Sequence, residues 1–140
     1  MKKSSGKIQA WGPSIAVRVG LGEQQQKRLS EAGQDVISAQ NGSGLIDTGS
    51  SYTLINKAFV RVLRLEATGN LFKLGGVFDT GFTKAYYASL ELRVEGGVYT
   101  VPTLEVGSAT IDPMDGGFSV VLGRDVLSRG KLIYDGHEQV

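Results

Sequence analysis

Apolar residues recur at every second position in several short stretches, and glycines fall between those stretches. Residues 13–20 (PSIAVRVG) put Ile15, Val17 and Val19 on one face of an extended chain. Further on, Leu90, Leu92 and Val94 alternate with Glu91 and Arg93, which predicts a strand buried on one face and wet on the other. Residues 36–40 and 44–47 read as strands separated by a turn at Asn41-Gly42-Ser43-Gly44. Residues 70–94 read as a long hairpin with a glycine-rich bend between 75 and 81. Gly96-Gly97 reads as a second hairpin turn, leading into a strand over 98–106. Pro102 places that strand at an edge or breaks it, because proline has no amide hydrogen for a ladder. Residues 107–117 read as a loop, 118–122 as a short apolar strand and 131–134 as a last strand.

Helical spacing is confined to short segments. The polar stretch 21–35 (LGEQQQKRLSEAGQD) reads as an exposed insertion with one short helix, closing the first hairpin. Asn56 is a helix cap by type, and Phe59 and Leu63 then share one helical face with Val62 beside them. Gly123 opens another short helix through Ser128. The expectation is an all-β domain, a small closed barrel with one or two short helices. Residues 1–12 form a tail and 13–140 the domain.

Composition narrows the chemistry. At 140 residues the chain has room for one ordinary core. A net charge of +1, with Lys and Arg scattered, gives no reason to expect nucleic acid or an anionic membrane as partner. There is no cysteine, so disulfides and thiolate metal sites are excluded. The one histidine, His137, stands three residues from the end and reads as a solvated tail residue. Ser-His-Asp, Cys-His and histidine-metal chemistry therefore have almost nothing to work with. Lys2-Lys3 is not followed by the apolar run of a signal peptide, and no stretch reaches the length of a membrane span. The expected location is cytoplasmic, and no metal or organic cofactor is expected.

One segment carries chemistry: Gly44-Leu45-Ile46-Asp47-Thr48-Gly49-Ser50-Ser51. An apolar strand delivers a carboxylate to a tight turn. Gly49 lets backbone approach that carboxylate closely. The Thr48 hydroxyl can hydrogen-bond to a neighbouring backbone, and Ser50 is small enough to leave a cleft open. Isolated Asp-Thr-Gly triplets are mostly ordinary turns. Here a second element follows about 75 residues later, Val120-Val121-Leu122-Gly123-Arg124-Asp125-Val126-Leu127, an apolar strand running into Gly-Arg-Asp and a short helix.

The three parts together, Asp-Thr-Gly, glycine-rich hairpin and Gly-Arg-Asp, resemble the retropepsin-like aspartic peptidases, the class of the retroviral proteases. The likeness runs from about Pro13 to Tyr134, and the closing run VVLGRDVLSRGKLIYDG is especially similar to bacterial members. The resemblance implies a closed β-fold working as a homodimer on a polypeptide substrate. Asp47 matches the catalytic aspartate, and Thr48 would lock the active-site loops of two subunits together. Gly75, Gly76, Val77 and Phe78, in a hairpin over about 70–90, match the flap that closes over bound peptide. Gly123, Arg124 and Asp125 match the structural element behind the catalytic loop. Many retroviral members carry an aspartate where this chain has Ser51, which leaves Arg124 without its usual partner, and Asp125 stands where some carry asparagine. An apolar cleft of Ile46, Val77, Phe78 and Val120 would favour hydrophobic side chains beside the cleaved bond.

The mechanism implied needs two carboxylates sharing one proton. One activates a water and the other donates to the developing oxyanion. A chain with one usable Asp47 holds half of this, and two-fold symmetry supplies the rest. Asp79-Thr80-Gly81 repeats the triplet, but the 32 residues from Asp47 to Asp79 cannot supply a second β-lobe, so it reads as a turn at the flap tip. Asp112, Asp115 and Asp125 match no EF-hand spacing. Gly20-Leu21-Gly22 lacks the third glycine of a dinucleotide site. Tyr86 and Tyr87 read as neighbouring strand residues, one in and one out. Two rival readings stay open: the same fold without activity, as a dimerisation or peptide-binding module, and an unrelated β-barrel binding module.

Overall fold

In the computed structural model, which describes residues 8–9, 12–74, 81–111 and 117–130, the alternating stretches wrap into a closed ring. Among the described residues, eight strands and three helices follow in the order β1 (Ile8–Gln9), β2 (Gly12–Leu21), α1 (Glu23–Glu31), β3 (Gln40–Ile46), β4 (Leu54–Asn56), α2 (Lys57–Leu63), β5 (Ala67–Leu74), β6 (Gly81–Val94), β7 (Gly97–Ala109), β8 (Val120–Leu122) and α3 (Arg124–Leu127). The sheet order is β1-β2-β3-β8-β4-β7-β6-β5, and an extra β2–β6 pairing joins the ends of a six-stranded barrel. The expected class, a small closed β-barrel with few short helices, is the one observed. Within the expected tail, Ile8 and Gln9 pair with Pro13 and Gly12.

Closure depends on the long strands serving two neighbours each. β2 pairs antiparallel with β3 through Ser14 to Val19, and with β6 through Val17 to Leu21. Its inward residues Val17, Val19 and Leu21 are almost wholly buried, as are Leu90 of β6, Val101 and Val106 of β7, and Leu122 of β8. β8 is covered on both faces. Val120 and Leu122 join the main core, while Val121 packs with Leu45, Ala109, Ile111 and Phe118 in a second cluster. Burial on both faces explains why this strand is a continuous apolar run.

Several expectations are corrected. Residues 36–39 do not form a strand, β3 begins only at Gln40, and Asn41-Gly42-Ser43-Gly44 is not a turn but the body of β3. Its glycines answer a steric demand. A Cβ on Gly44 would sit 2.9 Å from Leu122 Cδ1 and 3.0 Å from Val17 Cγ1, and one on Gly42 would sit 2.5 Å from Ser119 Oγ. Val62 faces solvent, whereas Leu63 is buried and Phe59 half-buried. Pro102 lies inside β7 beside a register shift against Ala88 and Leu90, so the strand bulges instead of ending. Residues 107–109 belong to β7 rather than to a loop.

Asn56 caps α2 as expected, its side chain accepting from the Ala58 amide at 3.1 Å. α1 lies within the polar stretch and is pinned at three points. The Glu23 amide donates to Thr103 Oγ1, Gln25 Nε2 donates to the Arg64 carbonyl, and Arg28 pairs with Glu66. Tyr86 is half-buried and Tyr87 exposed. The bend 75–80, the segment 112–116, the expected strand 131–134 and His137 lie outside the described residues. Among the described residues no helix is long and apolar enough to cross a membrane.

Candidate active site

β3 and β8 run parallel, Gly44 beside Val120 and Ile46 beside Leu122, although more than 70 residues separate them in sequence. Parallel pairing brings the C-terminal ends of both strands to the same place, so Asp47 and Gly123 emerge side by side. The Asp47 amide extends the ladder by one bond, donating to the Leu122 carbonyl at 3.0 Å. Asp47 is half-buried there.

The chain then turns tightly. The Gly49 amide donates to Asp47 Oδ1 at 2.9 Å, and the Ser50 amide donates to the Asp47 carbonyl at 3.2 Å. The Gly49 amide is the one donor to this carboxylate among the described residues. A carboxylate anchored through one oxygen is fixed in orientation while its other oxygen stays available for chemistry. Thr48 and Gly49 are exposed, and the Thr48 hydroxyl has no partner among the described residues. The Ser50 hydroxyl is turned back into its own loop, donating to the Tyr52 carbonyl at 2.7 Å.

Behind this loop the Gly-Arg-Asp element forms a clamp. The Arg124 amide donates to the Ser50 carbonyl at 2.8 Å. Its guanidinium donates to Ser51 Oγ at 2.7 Å, so Ser51 itself is the partner of Arg124. Asp125 reaches the same loop further on. Its Oδ2 accepts from the Thr53 amide at 3.0 Å, and its Oδ1 accepts from the Thr53 hydroxyl at 2.7 Å and the Val126 amide at 2.8 Å. The Thr53 oxygen in turn accepts from the Gly123 amide at 3.1 Å. Thr53 is fully buried, and its hydroxyl is the hub joining both halves of the site. Gly123 is fixed by space, not by dihedral angle. A Cβ there would lie 2.5 Å from the Tyr52 carbonyl oxygen and 3.0 Å from that of Ser50, both backbone atoms.

Sequence reasoning had no view of Thr53, nor of Tyr52, whose ring stacks on Phe72 of β5 at 4.1 Å between centroids and 14° between planes. That contact fastens the Asp47 loop to β5 of the β5–β6 hairpin, two residues before the end of that strand. No residue-type signal marks either position, since threonine and tyrosine are unexceptional after a turn. Of the hairpin-tip residues, Gly75, Gly76, Val77, Phe78 and Asp79 lie outside the described residues. The expected cleft is corrected at Val120, whose side chain is fully enclosed in the core and cannot line a surface. Ile46 remains half-buried beside Asp47. Among the described residues no cluster of three or more His, Cys, Asp or Glu side chains is placed to hold a metal ion.

No family model and no curated protein sequence matches the chain. Among solved structures, one that is similar is EIAV protease complexed with the inhibitor HBY-793. The two are 17% identical, with a TM-score of 0.44, over 87% of this chain and 92% of that one. At that distance the likeness decides nothing about chemistry.

Proposed function

We propose that this chain is one half of a retropepsin-like aspartic endopeptidase, with Asp47 as its catalytic aspartate and a second copy supplying the other. The observation that carries this reading is the combination at Asp47: a carboxylate held through a single oxygen by the Gly49 amide, on a loop sealed by Gly123, Arg124 and Asp125. An ordinary surface turn has no need of so many anchors from a segment 70 residues away. A group that must keep its orientation through a reaction does.

In the proposed dimer two Asp47 carboxylates meet across a two-fold axis and share one proton. The ionised one takes a proton from a bound water, which attacks the peptide carbonyl. The protonated one donates a hydrogen bond to the oxyanion that forms. Thr48, exposed and with no hydroxyl partner among the described residues, is the residue that would bond across to the second loop. The β5–β6 hairpin, tied to the site through Phe72 and Tyr52, is the proposed flap. The chemistry uses no cofactor, and the substrate is an extended polypeptide.

Cleavage of an unstructured protein such as casein, between about pH 4 and 7, tests the proposal. Activity should vanish in Asp47→Asn and survive in Asp79→Asn, and sedimentation should show a dimer in the active preparation. A wild-type chain that is dimeric yet cleaves nothing sinks the peptidase reading.

A further inference from the structure

β7 changes neighbours between Val106 and Gly107. Up to Val106 it pairs with β6, and from Gly107 to Ala109 it runs parallel to β4. Beyond that point β6 is still held, but by a side chain. The Thr83 hydroxyl oxygen accepts from the Ser108 amide at 3.0 Å, standing where a ladder bond would be. Phe72 on β5 is the cross-strand partner of Thr83, and both residues are more than nine-tenths buried. Together they form a rung that seats the hairpin on Gly107. A Cβ on Gly107 would lie 2.7 Å from Thr83 Cγ2, 2.7 Å from Leu54 Cδ2 and 3.4 Å from Phe72 Cδ2, so the missing side chain is what makes the seat. On either side of the rung Leu71, Lys73 and Phe82 are exposed.

The seat is joined to the Asp47 loop through backbone and through side chain. The Gly107 amide donates to the Thr53 carbonyl at 3.0 Å, and the Phe72 ring stacks on Tyr52. Tyr52 has little freedom of its own. Its carbonyl accepts from the Ser50 hydroxyl, and the next amide, that of Thr53, is bound by Asp125. Its ring belongs to no core cluster and the residue is 43% exposed, so the stack on Phe72 is a main source of its order. A ring fixed at its backbone and gripped by the hairpin passes the position of the hairpin to the loop.

We infer that Tyr52 is a positioning residue: stacked on Phe72, it holds the Asp47 loop in register with the seated hairpin and so sets the orientation of the Asp47 carboxylate. The consequence for catalysis rests on the peptidase reading, whereas the coupling between hairpin and loop does not.

Amide hydrogen exchange at Gly49 and Ser50, followed by NMR on the full chain, reads the coupling without any substrate. Phe72→Leu, far from both amides in sequence, should speed their exchange about two- to tenfold, the strength of an aromatic pair expressed as a ratio of open to closed loop. Tyr52→Leu should do the same, and the double variant no more than either alone. Tyr52→Phe keeps the ring and should match the wild type. Leu71→Ala, on the opposite face of β5, should change nothing at these amides. Leu21→Val, in the core at the end of β2 remote from Leu45, should lower the unfolding midpoint and leave both amides alone. Cleavage of a casein-derived peptide adds the second readout. Phe72→Leu and Tyr52→Leu should lower kcat by the same factor with KM unchanged, since substrate still binds while the carboxylate is held less well.

Exchange at Gly49 and Ser50 that Phe72→Leu does not move overturns the inference. So does an additive double variant, or an equal acceleration by Leu21→Val, which would make the effect a general loss of stability. A raised KM in Tyr52→Leu alone also overturns it, making Tyr52 a substrate contact instead. A wild type that cleaves nothing sinks the peptidase reading only, and the exchange pattern still decides the coupling.

Discussion

Replacing Thr53 with valine keeps the shape of the side chain and deletes one oxygen. That oxygen accepts from the Gly123 amide at 3.1 Å and donates to Asp125 Oδ1 at 2.7 Å, in a position with no solvent exposure. Valine leaves the buried Gly123 amide with no acceptor, which costs about 1–3 kcal/mol, and removes a bond to a charged group, which contributes about 1.5–3 kcal/mol when intact. Asp125 retains the Thr53 and Val126 amides, so the second loss falls at the low end of its range. The sum is about 2.5–4.5 kcal/mol, read as a lower urea midpoint with an unchanged slope. Thr53→Ser keeps the hydroxyl and loses one buried methyl, at about 1 kcal/mol. Peptide cleavage, measured on protein shown to be folded, should fall in the valine variant and persist in the serine variant, because only valine loosens the strand-to-helix element from the Asp47 loop. Equal stabilities for Thr53→Val and Thr53→Ser, or a loss below about 0.5 kcal/mol in valine, would refute the hub.

Two further perturbations probe the same clamp. Gly123→Ala keeps allowed dihedrals but forces its Cβ against the Tyr52 and Ser50 carbonyls, which must move apart by most of an ångström. The expected loss is about 2–4 kcal/mol, together with cleavage activity, since the bonds from Gly123 and Arg124 stretch with that movement; thermal unfolding checks it. Ser51→Asp places a carboxylate beside the Arg124 guanidinium on an exposed surface, so urea unfolding should show a gain of no more than about 1 kcal/mol that fades in high salt.

The strands were legible wherever alternation was undisturbed, as in Ile15 to Val19 and Leu90 to Val94, because period-two burial is a local property of one strand. The misreading of Asn41 to Gly44 as a turn has a physical source. Glycine has two uses, left-handed backbone and close approach, and a sequence does not say which applies. At Gly44 the reason is the nearness of Val17 and Leu122, neither of them close in sequence. The candidate site divides in the same way. Asp47, Gly49 and Gly123 stand out because the triplet and the strand-glycine-helix element have local signatures. The roles of Thr53 and Ser51 depend on Asp125 and Arg124, more than 70 positions away, and no local pattern encodes such a meeting.

The parallel pairing of β3 with β8 also sets an order of events during synthesis. Asp47 is made in the first third of the chain, yet the strand it pairs beside and the clamp that holds it come from residues 120–125. Chains grow at roughly 5–20 residues per second, so several seconds pass between the making of the aspartate and of its support. Until then the loop has neither the Leu122 carbonyl nor the Gly123 and Arg124 amides to hold it. Contacts this distant in sequence also form late and slowly in folding. A site built this way stays unassembled until β8 and α3 have been made and have packed beside the Asp47 loop.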